Sequence, residues 1–227
     1  MKMKQMIKRL LPSVSFPDYT RTSAVSNLFG YDRGTPIDRF YIEEFLAKHA
    51  THIKGRVLEV GEDQYMSRFG CDVAERVVLA PPGGSLQGSI LEADLTDLDT
   101  LPEQTFDCFI CTQTLNFIFD VKSAIAGSCH LLKPGGVMLA TVAGISQISR
   151  YDMERWGDYW RFTTLSVQNL FEPVFGPEVI VKSYGNVLAA CAFLQGLAVE
   201  DLPDVALLSA KDQDYQLIIT VVARKKE

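Results

Sequence analysis

No stretch of this 227-residue chain approaches the ~20 consecutive apolar residues that a membrane-spanning helix needs. An excess of basic charge is missing too. The 22 Lys and Arg face 28 Asp and Glu, a net charge of −6. That speaks against nucleic acid as a partner, because phosphate binding needs a positive surface. The one basic cluster, MKMKQMIKRLL, is short for a membrane-surface helix and has no second anchoring signal. The few apolar residues after it meet Pro12 at once, unlike a secretory leader. A cytoplasmic protein without stable membrane insertion is the expectation. Cysteine is sparse and odd in number: Cys71, Cys108, Cys111, Cys129 and Cys191 do not read as a disulfide framework. Cys108 and Cys111 share a C-x-x-C spacing, but within the apolar run FDCFICT, where residues three apart on a strand face opposite sides. No metal site is expected there. Histidine is scarcer still. His49 and His52 precede the first strand and His130 closes a helix, positions that suit structural or exposed side chains. No G-x-G-x-x-G follows the first strand, which argues against a nicotinamide dinucleotide.

What is present fits one large α/β domain: 47% hydrophobic and 22% charged residues, with no low-complexity divider. Residues 1–36 are punctuated by Pro and Gly and read as an N-terminal extension and a lid candidate; residues 37–227 read as the domain itself. Apolar β-rich runs predict strands at 56–60, 76–80, 89–95, 106–112, 136–142, 179–184 and 215–225. Helical periodicity predicts helices at 37–50 and 121–133, a short one around QYMSRFG, one from 166 that breaks before Pro173, and an apolar one at 186–198. Lys133-Pro134-Gly135-Gly136 reads as a helix stop and tight turn. Alternating strands and helices imply a mostly parallel sheet covered on both faces.

In such sheets ligands bind at the carboxyl ends of the strands. Glu59 and Gly61 end the first strand, and Gly61 lets a ligand approach the backbone. Asp94 follows the third strand and can accept a hydrogen bond from an amino group such as that of adenine. Thr112, Gln113 and Thr114 follow the fourth. Taken in order, GRVLEVG, ADLTD, FDCFICTQTLNFI and LLKPGGVMLATV resemble the class I S-adenosylmethionine (SAM)-dependent methyltransferases over about residues 30–225. More narrowly, with RGTPIDRFYIEEFL and WGDYWRFT, they resemble those of bacterial glycan and natural-product biosynthesis. The resemblance implies a Rossmann-like seven-stranded sheet whose last strand is antiparallel. It implies SAM as cofactor, with Glu59 and Gly61 by the methionine part, Asp94 and Leu95 by the adenine, and Thr112, Gln113 and Thr114 under the sulfonium. Two departures stand out. Gly61 is followed by Glu62-Asp63-Gln64-Tyr65, without the second and third glycines of that family. Ala80-Pro81-Pro82 also stands where an acidic residue holds the ribose, a role that could pass to Glu62 or Asp63.

The aromatic and charged stretch 151–163 follows the fifth strand. Trp156, Trp160 and Arg161, with Arg33 from the segment before the domain, suit a sugar ring or a planar acceptor. Asp158 and Glu154, then Tyr151, are the candidates for a base assisting an acceptor hydroxyl. The expected activity is methyl transfer from SAM to a small-molecule or glycan-type acceptor, at oxygen. The altered glycine loop also keeps open a catalytically inactive binding or scaffold protein of the same fold.

Overall fold

The computed structural model describes residues 21–83 and 89–227; the expectations on the basic N-terminal cluster and on Pro12 lie outside them. Seven strands form one sheet: β1 Gly55–Val60, β2 Val73–Ala80, β3 Ile90–Glu92, β4 Phe106–Thr112, β5 Leu132–Ala143, β6 Ile180–Tyr184 and β7 Ile218–Arg224. Their order is 3-2-1-4-5-7-6. Strands β1 to β5 pair in parallel, and β7 runs antiparallel between β5 and β6. Helices α1 Ile37–Lys48, α2 Gln64–Phe69, α3 Val121–Leu131, α4 Arg150–Met153, α5 Thr164–Phe175 and α6 Val187–Leu194 surround it. This is the Rossmann-like architecture expected, reversed last strand included.

Strand alternation decides which side chains meet which helix. In β4, Phe109 and Cys111 join Leu58, Met138 and Ile219 beneath α3 and α5. Cys108 and Ile110 point the other way and join Val57 and Leu139 beneath α1 and α2. The C-x-x-C pair is thus split between the two faces, and burial pushes both thiols up to about 12. A third cluster lies at one end of the sheet, where Ile37 and Tyr41 of α1 pack on Phe193 of α6, Leu197 and Leu208.

Several element boundaries differ from expectation. Helix α3 stops at Leu131 and β5 begins at Leu132, so KPGG is a kink inside a strand. The register with β4 slips between Phe106 and Cys108. The β7 side carries on, because Gly135 N–H donates to the Lys225 carbonyl and Lys225 N–H to the Gly136 carbonyl. Strand β3 is shorter than read. Helix α5 continues through Pro173, which sits in its last turn and withholds one backbone bond there; its start is fixed by a capping box between Thr163 and Ser166.

Residues 21–36 are stitched to the stretch after α6. Val25 and Ser26 N–H groups donate to the Gln195 carbonyl, and Val199 N–H to the Thr35 carbonyl at 2.8 Å. Arg33 forms a two-pronged pair with Asp201 at 2.7 and 2.9 Å, its side chain only 6% exposed. Gly196 makes this docking possible: its φ is +69°, and a Cβ there would lie 2.0 Å from the Ser26 carbonyl oxygen. Left-handed strain and a backbone clash together should make Gly196→Ala cost about 2–5 kcal/mol. Urea denaturation would read the loss, and faster proteolysis within residues 21–36 would locate it.

Candidate active site

Two cavities open side by side at the carboxyl edge of the sheet. The first, about 230 Å³, lies over the ends of β1 and β4. Its walls include Glu59, Gly61 and Glu62 from the first strand's turn, Thr112 and Gln113 from the fourth, and Arg39 of α1. Gly61 has φ +81°, and a Cβ there would meet nothing within 4 Å, so its backbone borders open space. Glu59 is 3% exposed, and both its carboxylate oxygens are taken. They accept from the Tyr65 and Met66 N–H groups at 2.9 and 2.7 Å, capping the first turn of α2. Burial pushes this carboxyl up to about 7, and the two N–H groups pull only partly against it.

Arg39 is the cation of this cavity. Its guanidinium donates to Gln64 Oε1 at 3.0 Å and to the Tyr31 hydroxyl at 2.8 Å, and it rests over the rings of Tyr31 and Tyr65. Among the described residues no carboxylate stands within ion-pair distance of it. A guanidinium has five N–H donors, so this one keeps donors to offer an anion.

The second cavity, about 170 Å³, lies beyond Gln113 toward the ends of β4 and β5. Tyr31, Asp38 and Gln113 line both cavities and form the wall between them. Gln113 holds a left-handed backbone, φ +50°. Its N–H donates to the Thr141 carbonyl at 2.8 Å and its Nε2 to Thr141 Oγ1 at 3.2 Å. Asp38 sits in the first turn of α1, its Oδ1 accepting from the Arg39 N–H at 2.8 Å. Burial raises its carboxyl to about 6 against that bond and the charge of Arg39. Asn116, in the turn after β4, is 3% exposed, and its Oδ1 has no hydrogen-bond partner. Its backbone carbonyl accepts from the Tyr159 and Trp160 N–H groups, which pins the 158–161 segment against the cavity.

The structure gathers some of the sequence's candidates here and separates others. Glu59, Gly61, Glu62, Thr112 and Gln113 meet in the first cavity. Thr114 lines neither; its hydroxyl turns back to the Thr112 carbonyl. Asp94 and Leu95 stand outside both. Asp94 accepts from the Thr96 N–H and hydroxyl, each at 2.8 Å, and Leu95 is core. Asp158 and Arg161 line the second cavity but are joined at 2.6 and 2.9 Å. Burial would raise the Asp158 carboxyl, yet the bonds from Arg161 and the Ser149 N–H hold it below the usual range. With its charge committed, Asp158 is poorly placed to take a proton. Arg161 also donates to the Gln147 and Trp160 carbonyls, leaving little of it for a ligand. Glu154, Tyr151, Trp156 and Trp160 lie outside the cavity. Tyr151 carries Arg155 on its ring, Trp156 donates to Asp152, and Trp160 donates to the Ile118 carbonyl. Arg33 is committed to Asp201, away from any ligand.

Asp38, Arg39, Asn116 and Tyr65 went unassigned from sequence. The one signal was an Asp-Arg pair opening the helix before β1, on the face that periodicity leaves to solvent.

The strand order, the reversed β7 and a cavity spanning the ends of β1 and β4 define the SAM-dependent methyltransferase fold. Residues 53–140 match the family described as methyltransferase domain, and the cofactor this domain implies is SAM. Solved structures agree on the fold. A SAM-dependent methyltransferase from Mesorhizobium loti is 15% identical at a TM-score of 0.53, covering 83% of this chain and 98% of its own. One from Archaeoglobus fulgidus is 10% identical at 0.52, covering 82% and 94%. The [4+2]-cyclase SpnF is 19% identical at 0.54, covering 86% and 83%. No curated protein matches the chain in sequence. At these identities the likeness is one of fold alone.

Proposed function

We propose that the protein transfers a methyl group from SAM, held in the first cavity, to a small acceptor held in the second. The observation that carries this reading is the shared wall: two cavities of modest size, side by side at the strand ends, separated by Tyr31, Asp38 and Gln113. The residues fit the donor. Arg39 has unused donors for an α-carboxylate, and Gly61 opens its backbone where the amino-acid end would lie. Glu62, Thr112 and Gln113 complete the pocket. The adenine end would run past β2 toward Asp94 and Leu95, as the family resemblance implies.

Bound there, SAM supplies an electrophilic methyl on a positive sulfonium. The protein's part is placement: holding donor and acceptor in line can supply about 7–11 kcal/mol of the barrier. The left-handed turn at Gln113, fixed by Thr141, sets the wall through which the groups must meet. The segment before Ile37 roofs both cavities through Tyr31, and its stitching to residues 195–201 suits a standing wall better than a mobile lid. Small size favours a small-molecule acceptor over a polymer; the sugar hydroxyl suggested by the glycan-type resemblance would have to be a compact one.

Calorimetric titration with SAM and with S-adenosylhomocysteine tests the reading. Binding of both is expected, with dissociation constants of roughly 1 μM–1 mM, the usual substrate range. If neither binds, the scaffold alternative takes its place.

A further inference from the structure

We propose that the second cavity takes a small amine, recognised as its ammonium by Asp38 and Asn116, and that Asp38 accepts the proton the amine gives up before methylation. The methylation, though not the recognition, rests on the donor reading above.

The argument starts from the charges on the wall. Asp38, Asp152, Asp158 and Arg161 are the ionic residues lining this cavity. Arg161 is committed to Asp158 through two bonds. Asp152 accepts from Trp156 Nε1 and the Ser149 hydroxyl. Asp38 remains, with the Arg39 backbone N–H as its hydrogen-bond donor and no Lys, Arg or His of the described residues within ion-pair distance. The Arg39 guanidinium turns instead to Gln64 and Tyr31. Among the described residues Asp152 likewise has no cation within ion-pair distance, so the cavity presents two carboxylates without an ion pair, and Asp38 is the one whose side chain accepts from a single neighbour.

Asn116 gives the second, independent sign. A buried amide oxygen without a partner is costly, and such groups are rare unless something fills them. What fills this one must donate a hydrogen bond. An ammonium carries several donors and a positive charge, which suits a cavity lined by both Asp38 and Asn116. A hydroxyl donates only once and brings no charge. A carboxylate or phosphate would set acceptor against acceptor, with no free cation to offset it. Phe29, Phe117, Phe193 and Tyr31 supply apolar and aromatic surface for the body of the amine, and their faces favour a nearby cation.

The chemistry balances. The ammonium gives one proton to the Asp38 carboxylate and becomes a neutral amine. Its nitrogen lone pair then forms the new N–C bond as the methyl's C–S bond breaks and that electron pair goes to sulfur. The products are an N-methylated ammonium, a neutral thioether and protonated Asp38, which returns its proton to solvent. Burial, which lifts this carboxyl to about 6, makes it a better proton acceptor than an exposed aspartate.

Three probes of matched skeleton test the proposal: 2-phenylethylamine, 2-phenylethanol and phenylacetate, titrated by calorimetry into the full chain with and without S-adenosylhomocysteine. The amine should bind at least about tenfold more tightly than the alcohol, as one charge-assisted bond predicts, and phenylacetate weakest of all. Asp38→Asn, close to isosteric, should weaken the amine by about tenfold to a hundredfold and the alcohol by less than about threefold. Phenylacetate matching the amine, no binding of the amine, or an amine preference that survives in Asp38→Asn would each overturn it. The wild-type ranking decides even if the variant folds poorly. Amine preference without any binding of S-adenosylhomocysteine would sink the donor reading alone, and the converse would sink this one alone.

Discussion

Arg39→Met should weaken S-adenosylhomocysteine binding by about a hundredfold. The guanidinium lines the first cavity with donors to spare and, among the described residues, no carboxylate within ion-pair distance, so a bound amino-acid carboxylate would complete its pairing. Removing one side of a partly desolvated, hydrogen-bonded charge pair costs about 2–5 kcal/mol, and each 1.4 kcal/mol is tenfold. Arg39→Lys should recover only part of the affinity, because an ammonium keeps the charge but loses the planar fork and the stacking on Tyr31 and Tyr65. Calorimetry on the three proteins gives the ranking. Methionine and arginine proteins that bind within threefold of each other would place the carboxylate elsewhere.

The second large effect concerns stability. Glu59 is held near 7 against an ordinary 4.5. A carboxyl whose native value is raised stabilises the fold while protonated and loses that contribution as pH rises. The contribution is whole below about 4.5, where folded and unfolded chains both carry the proton, and it is gone above about 7. Converting the interval at 1.36 kcal/mol for each tenfold in acidity gives a loss of about 3 kcal/mol between pH 5 and pH 8. Asp38, raised to about 6, pushes in the same direction. Glu59→Gln isolates the first contribution. It should be less stable than wild type at pH 5, because its amide sets two N–H donors against the Tyr65 and Met66 N–H groups where the protonated carboxyl sets one O–H. The deficit should shrink or reverse by pH 8. Urea midpoints measured across that range check both points, and parallel curves for the two proteins would mean Glu59 titrates like an exposed glutamate.

The sheet was legible in the sequence because its signal is local. FDCFICT and LIITVV are apolar on both faces, and only strands buried on both faces need that. Asp94 shows the other side: a carboxylate after a strand reads as a ligand to adenine, and the partner it has within its own loop, a threonine two residues on, is seen only in the fold. The Asp158–Arg161 pair shows the same thing at three residues' distance. Asp38 and Arg39 were missed for the opposite reason. They lie in α1, before the first strand, and amphipathic periodicity assigns the polar face of such a helix to water. Only the fold carries that helix end to the tips of β1 and β4, and no pattern within 37–50 encodes the trip. Asn116 belongs to the polar run after β4 that the sequence places at the strand's carboxyl end; its missing partner is a property of the packed interior.

The placement of β7 has a consequence for how the molecule is made. Strand β7 is an interior one, bonded on both flanks, and the roof backbone near position 30 is bonded to residues 195–199. A ribosome that has delivered everything through β6 has therefore produced an open sheet, with the flank of β5 bare on the side that β7 later covers. Both cavities depend on contacts between distant parts of the polypeptide, a topology that slows folding. Deleting Ile218–Arg224 would take out the strand joining β5 to β6, so that variant should be aggregation-prone.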